Sequence, residues 1–393
     1  MIETERGKML GHRRGTTKLL VALVALAASL GLAACGGDDD VGGGSDNATE
    51  TAKPGPVKGE LAISTWVGYI DKGEGGTIDK FEAKYPGTTV DYVEDVNDNV
   101  EFFGKLQPQL DKGESGGRSI FVVTDWMAKQ MHDLGYLQEI DYADLPNVEA
   151  NLRDDLRSPD FDPEREFSVP WQSGMTGLLV NEKQAPNIKS VNDIFDPQYK
   201  GKVTVLTELR DTVPLMLKAD GIDPSEATKE EWLAQIDKLQ AAADSGQLRR
   251  FTGNDYVQDL ANENVVASIG WSGDQSLIEN EDVKWRMPTE GCILWSDNMV
   301  IPVGAPNTAA ALAWADFVYD PAIQAPIAEY VNYVTPVKGV QPILQQKDPE
   351  LGNSDLIFPS EEFIADCTTQ PDPPGEEADV QEVTEAFQNV ITD

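Results

Sequence analysis

Between Glu290 and Pro302 the chain reads Glu-Gly-Cys-Ile-Leu-Trp-Ser-Asp-Asn-Met-Val-Ile-Pro. Its apolar ends have the character of a strand crossing a core, yet between them stand Trp295 and Asp297, an aromatic plate and a carboxylate two positions apart. In extended backbone, alternate side chains point to the same side, so the pair shares a face. An indole face attracts positive charge, and a carboxylate accepts strong hydrogen bonds from a cation that carries N–H groups. The stretch is therefore read as one wall of a site for a small organic cation.

Residues of the same two kinds recur where strands should end. Residues 61–65 read as a strand that delivers Trp66 and Tyr69 into a glycine-containing loop. Helical patterns over 77–85 and from Asn99, the latter broken around Pro108, alternate with strands at 89–93 and 119–123. The last strand presents Thr124, Asp125 and Trp126, and a helix ending at Gly135 follows. This β-α-β-α-β alternation predicts an α/β fold with a largely parallel sheet, in which ligands gather at the carboxyl ends of strands. After an acidic, proline-containing region that leads to Trp171, residues 174–181 form a strand entered through glycines. Residues 201–206 then end in Thr207, Glu208, Arg210, Asp211 and Thr212. A capping box at Thr228 and Glu231 opens an amphipathic helix to about Ala243. Phe251–Tyr256 is read as a loop and helix start, and it contains Asp255. Residues 265–270 form a strand that delivers Trp271, Ser272, Gly273 and Asp274. Two helices, 308–319 and 322–330, precede a loop with Tyr333, and a proline-rich tail leads to a last helix over 379–390.

A single tryptophan is equally well explained as core; the repeated placement at strand ends is what points to a site. Each cation–π contact is worth roughly 0.5–2 kcal/mol and each charge-assisted hydrogen bond roughly 1.5–3 kcal/mol. Two or three of the first with one or two of the second reach the range of a micromolar constant, about −8 kcal/mol.

The beginning of the chain carries a different message. Arg6, Lys8, Arg13, Arg14 and Lys18 precede an apolar run over 19–30, which closes in Leu32-Ala33-Ala34-Cys35. The run is too short to span a bilayer and reads as a secretory signal peptide over 1–34, by the Sec route or, through Arg13-Arg14, the twin-arginine route. The ending resembles a bacterial lipoprotein box, which implies a lipid on Cys35 and anchorage to the outer face of the cell membrane. Residues 35–56 hold almost nothing apolar and are expected to be a solvated tether. The globular remainder exceeds three hundred residues, enough for two lobes.

Residues 1–34 carry five of the 31 Lys/Arg and two of the 68 Asp/Glu, so their removal leaves a net charge of −40. Such a field repels nucleic acid and draws in small cations, and it also serves simply to keep an exported protein soluble. Two cysteines then remain, Cys292 and Cys367, which in an oxidising compartment are expected to pair. A metal site finds little support, because His132 would be the one histidine left and it falls on a helix.

The chain resembles the spermidine/putrescine-binding proteins of ABC transporters from Glu60 to about Phe363. The carrying segments are Trp66-Val67-Gly68-Tyr69, Val123-Thr124-Asp125-Trp126, Ser168-Val169-Pro170-Trp171, Val205-Leu206-Thr207, Gly270-Trp271-Ser272-Gly273, Leu294-Trp295-Ser296-Asp297 and Tyr333-Val334-Thr335-Pro336. The resemblance implies an α/β, two-lobed, type II periplasmic binding protein with its ligand in the inter-lobe cleft. One lobe would span 57–174 plus 296–341 and the other 175–295 plus 342–393. It implies Trp66, Tyr69, Thr124, Trp126, Trp271, Trp295, Asp297 and Tyr333 as ligand contacts, with Asp125, Trp171, Glu208, Asp211 and Asp255 as further candidates. Its partners would be a polyamine and the membrane permease of an importer, with the receptor a monomer and no cofactor. Two departures stand out: the family's spermidine binders place two acids where this chain has Leu209 and Thr212, and Val67 stands where a hydroxyl is frequent. The chain's own Glu208 and Asp211 fall one residue early, a shift expected to re-aim them and to leave Asp297 as the family carboxylate in place.

Other readings remain open on the sequence. The same rings could hold an uncharged or zwitterionic solute. A hydrolase would have to work with carboxylates alone, since there is no Gly-x-Ser-x-Gly elbow, phosphate loop or metal-ligand cluster.

Overall fold

The computed structural model describes residues 50–392; the expected signal peptide, Cys35 and most of the expected tether lie outside the described residues. In chain order, β1 (Gly59–Trp66), α1 (Thr77–Lys84), β2 (Thr88–Val96), α2 (Asn99–Leu110), β3 (Ile120–Thr124) and α3 (Asp125–Asp133) alternate as the sequence predicts. After α4 (Pro146–Asn151) comes the long β4 (Val169–Asn181). A second alternating run follows: β5 (Val203–Leu206), α5 (Leu209–Ala219), α6 (Lys229–Asp244), β6 (Leu248–Thr252), α7 (Tyr256–Ala261) and β7 (Ala267–Trp271). The chain continues through β8 (Val283–Arg286), β9 (Ile293–Val300), α8 (Thr308–Phe317), α9 (Pro321–Val331), α10 (Val340–Lys347), β10 (Thr368–Thr369) and α11 (Glu377–Thr392).

The strands lie in the order β2-β1-β3-β9-β4-β7-β5-β6, with β10 on β9 and β8 on β4. Two parallel groups, β2-β1-β3 and β7-β5-β6, are thus joined through the antiparallel pair β9 and β4. Strand β9 changes partner along its length. Asp297 to Val300 pair with β3, whereas Ile293 and Leu294 pair with β10, and β4 accompanies both parts. Trp295 and Asp297 sit at that change of partner.

Local chemistry accounts for the elements. Asp98 caps α2 by accepting from the Glu101 backbone N–H at 2.9 Å, and Thr228 and Glu231 form the expected capping box of α6. Leu61, Ile63, Phe121 and Val123 place the first parallel group in the core, while α8 packs Ala310, Ala311 and Trp314 inward.

Four expectations are corrected. Pro108 does not break α2, because only two residues of the helix follow it and a proline there forfeits one terminal bond. β4 starts at Val169 rather than at Gly174, and Pro170 is accommodated by a register shift between Pro170 and Gln172. Phe251 and Thr252 are the end of strand β6 (Leu248–Thr252) rather than the start of a loop, since they pair with β5. Within the expected tether, Thr51 bridges to Glu139 and Ala52 is buried, with its N–H donating to the Glu139 carbonyl at 2.8 Å.

Cys292 and Cys367 form the expected disulfide. It fixes the tail so that Thr368 and Thr369 run parallel to Ile293 and Leu294. Beyond it, α11 buries Val383, Phe387 and Val390 while Lys229 bonds Asp379 and Glu382 at 2.7 and 2.9 Å. The bridge closes a loop with a sequence separation of 75, so the double variant Cys292→Ser/Cys367→Ser is expected to lose about 2–4 kcal/mol of unfolding free energy in urea titrations. An unchanged midpoint would show that the bridge adds nothing to stability.

Candidate functional site

A narrow cavity lies where the two parallel groups face each other across β9. The first group contributes Trp66 at the end of β1, Val67 and Tyr69 just beyond it, Asn99 at the start of α2 and Thr124 at the end of β3. The second contributes Glu208 and Asp211 around the start of α5, Asn254 after β6, and Trp271 and Asp274 at the end of β7. Trp295 and Asp297 supply the wall from β9, with Tyr333 after α9 and Gln370 after β10 completing it.

Five rings form an unbroken edge-to-face chain. Trp66 meets Trp271 at 5.5 Å between centroids, Trp271 meets Trp295 at 6.4 Å, Trp295 meets Tyr333 at 5.3 Å, and Tyr333 meets Tyr69 at 5.4 Å. Two glycines make room for it. A Cβ on Gly174 would come within 2.4 Å of the Trp295 ring, and one on Gly273 within 2.6 Å of the Tyr333 ring.

Against the rings stand four buried carboxylates. Asp297 accepts from Tyr69 Oη at 2.7 Å and Thr124 Oγ1 at 2.8 Å. Asp274 accepts from Tyr256 Oη and Tyr333 Oη, both at 2.6 Å, and from Asn254 Nδ2 at 2.9 Å. Asp211 accepts from Thr176 Oγ1 at 2.6 Å, and Glu208 from the Asn99 backbone N–H and Nδ2 at 2.8 and 2.9 Å. Every one of these donors is neutral. Among the described residues, none of the four carboxylates forms an ion pair, and no Lys, Arg or His lines the cavity.

Charge buried without a counter-charge resists ionisation. Burial pushes the Asp297 carboxyl up to about 7 against the hydrogen bonds from Tyr69 and Thr124, and the nearby Asp125 and Asp211 add to the rise. Burial likewise lifts Asp211 to about 6, opposed by Thr176 and Trp271. Asp274 is raised by burial, and Glu208 is raised well above the carboxylate range by burial and then by the charges of Asp98 and Asp211.

The halves are in direct contact around the cavity. Besides the Asn99–Glu208 bonds, Thr207 Oγ1 donates to Asp98 at 2.6 Å and the Asn254 backbone N–H to Asn97 Oδ1 at 3.1 Å. The cleft is closed.

Of the residues singled out from sequence, Trp66, Tyr69, Thr124, Trp271, Trp295, Asp297 and Tyr333 line the cavity together, as do Glu208 and Asp211. The one-residue offset does not turn those two acids away. Glu208 precedes α5 in extended backbone and Asp211 sits in its first turn, while Leu209 is buried and Thr212 Oγ1 donates back to the Leu206 carbonyl. Four candidates lie outside the wall. Trp126 is covered by the Arg210 guanidinium, whose carbon stands 4.1 Å from the ring centroid. Asp125 is taken up by Asn298 Nδ2, and burial raises it to about 6. Trp171 lies behind Tyr69, with centroids 6.5 Å apart. Asp255 faces Arg250 at the surface, and its neighbour Asn254 takes the cavity position instead. Asn99, Asn254, Asp274 and Gln370 were not singled out. Asp274 had a signal, since it follows Trp271 by three residues at a strand end. Gln370 had none, because its position depends on how the tail is tied.

Two parallel α/β groups joined by antiparallel crossover strands and closed over a buried cleft define a two-lobed, type II periplasmic binding protein fold. The sequence matches the family of bacterial extracellular solute-binding proteins over residues 76–353, so the chain belongs to that family, one of binding proteins rather than of enzymes. It is 26% identical over 319 residues to the spermidine/putrescine-binding periplasmic protein of Escherichia coli, covering 79% of this chain and 86% of that protein. It is 29% identical over 336 residues to the putrescine-binding periplasmic protein SpuD of Pseudomonas aeruginosa, covering 80% and 87%. Among solved structures, a putative spermidine/putrescine ABC transporter protein from Listeria monocytogenes superposes with a TM-score of 0.73 at 26% identity, covering 84% of this chain and 98% of the other.

The raised carboxyls fix the sign of a pH effect. Asp297 titrates near 4 in the unfolded chain and near 7 when folded, so between those values the native state holds more protons and its stability falls as pH rises. Asp297→Asn removes this dependence. The gain in unfolding free energy of the variant over the wild type is expected to grow by about 1.4 kcal/mol per pH unit between about pH 4 and 7, on the order of 4 kcal/mol in all, and to level off above about pH 7. Thermal melts of both ligand-free proteins across that range check it; a gap independent of pH would mean that Asp297 titrates in its ordinary range.

Proposed function

We propose that the protein is the lipid-anchored substrate-binding component of an ABC importer, which captures a polyamine of the putrescine or spermidine kind and hands it to a membrane permease. The observation that carries this reading is the set of four buried carboxylates with no cationic side chain among the cavity's lining residues, facing a continuous chain of rings. A polyamine supplies what that arrangement lacks: ammonium groups for the carboxylates, and a methylene chain with a diffuse positive field for the ring faces. The names of the relatives from Escherichia coli and Pseudomonas aeruginosa support the same ligand class.

The lobes are assigned as 57–174 with 296–341 and 175–295 with 342–393. The change of partner on β9, and the pairing of β4 with β7 from Thr176 onward, support crossings near residues 174 and 295. Export and anchoring rest on the signal sequence and on Cys35, and a monomer suffices for the site, since one chain supplies every wall.

Titration calorimetry and thermal shift with putrescine and spermidine test the ligand class. At least one is expected to bind with a micromolar or tighter constant and to raise the melting temperature as its concentration grows. Asp297→Asn is expected to weaken that binding by more than tenfold. No response to any di- or polyamine would overturn the assignment. Anchoring has its own check: in the native host, Cys35→Ser is expected to move the protein from the membrane fraction to the soluble exported fraction.

A further inference from the structure

Just outside the wall of the cavity stands a cation that belongs to the protein, Arg210. Arg210 lies between Glu208 and Asp211, both on the wall, and its guanidinium stacks on Trp126, two residues beyond the wall residue Thr124. Its Nε donates to Asp372 at 2.8 Å, two residues beyond the wall residue Gln370. Three segments that line the cavity, from β3, from α5 and from the disulfide-held tail, therefore converge just behind it on one cation, one ring and one carboxylate. The Arg210 side chain is 13% exposed and that of Asp372 is 67% exposed, so the cluster runs from beside the cavity wall to the surface.

A ring face and a carboxylate are the equipment with which the cavity itself would hold an ammonium group. Here that equipment is already occupied by a tethered guanidinium. A ligand long enough to reach Trp126 must displace Arg210 or bring a second positive charge against it, and both penalise the longer chain.

We propose that Arg210, stacked on Trp126 and held by Asp372, is the specificity-determining residue of the cleft, filling its last cation subsite and thereby selecting a short diamine over a triamine. The inference rests on the polyamine reading above. It assigns to Trp126 and Asp372 a latent affinity for an amine, which appears when Arg210 is shortened.

The experiment compares putrescine and spermidine by calorimetry on the wild type, Arg210→Ala and Arg210→Lys. The wild type is expected to prefer putrescine. Arg210→Ala is expected to raise the spermidine-to-putrescine affinity ratio by about tenfold or more, since it vacates a ring and a carboxylate for the extra ammonium. Arg210→Lys keeps a cation at the subsite and is expected to hold the ratio within about threefold of the wild type. A ratio unchanged in Arg210→Ala, with both amines still binding, overturns the role of Arg210 and leaves the polyamine reading standing. A wild type that prefers spermidine also overturns it. If the wild type binds neither amine, the polyamine reading itself falls and the inference falls with it.

Discussion

Negative charge buried without an internal counter-charge is the constraint on which the rest of the structure depends. Each carboxylate removed from water loses solvation worth several kcal/mol, and neutral donors restore only part of it. Tyr69, Thr124, Thr176, Asn99, Asn254, Tyr256 and Tyr333 hold the four acids in place without neutralising them. Elsewhere the same chain pairs a largely buried acid with a cation in the ordinary way: Asp259 is bonded by Arg250 at 3.0 Å. The absence of such a cation among the lining residues is a local property of the cavity, set within a protein that has cations to spend.

The sheet explains how acids from distant parts of the chain meet. Each parallel group sends its strands toward the cavity by their carboxyl ends, so β1 and β3 supply Trp66 and Thr124 while β5 and β7 supply Glu208 and Trp271. Strand β9, which pairs with β3 of the first group and reaches the second through β4, presents Trp295 and Asp297 between them where it changes partner. The disulfide at Cys292 braces the same strand and carries the tail past it, which is how Gln370 reaches the wall. Ring packing demands bare backbone opposite, hence Gly174 under Trp295 and Gly273 under Tyr333.

Much of this was legible in the sequence where it depended on period and punctuation. The alternation of elements, the capping box of α6 and the pairing of the two cysteines all follow from short-range rules, and aromatic residues at strand ends marked most of the wall. What the sequence hid depended on contacts between segments far apart. The end of β6 reads as loop because its strand character comes from pairing with β5. Trp126 reads as a ligand ring because nothing local reveals that Arg210, more than eighty positions away, covers it. The shift of the acids by one residue was misleading for a related reason. Glu208 lies before α5 rather than within it, so the helical rule that a one-residue step turns a side chain by about 100° does not govern its direction.

The raised carboxyl groups also bear on how the fold tolerates four buried acids. Burial raises Glu208 well above the carboxylate range and Asp297 to about 7, so both favour the protonated form more than a surface acid does. A proton is thus the alternative to a counter-charge at each of these acids. An ammonium group arriving in the cavity favours the ionised form of each acid it touches and so displaces those protons. On the polyamine reading, capture of a cation becomes an exchange of protons for ammonium groups, and a hydroxyl on Asp297, from Tyr69 or Thr124, turns from accepting the acid's proton to donating to the carboxylate. Glu208 has a second part in this exchange. Its Oε1 already bonds Asn99 across the cleft, so ionisation of Glu208 strengthens the bond that keeps the two halves together. Charge in the ligand and closure of the cleft are thus linked through one side chain.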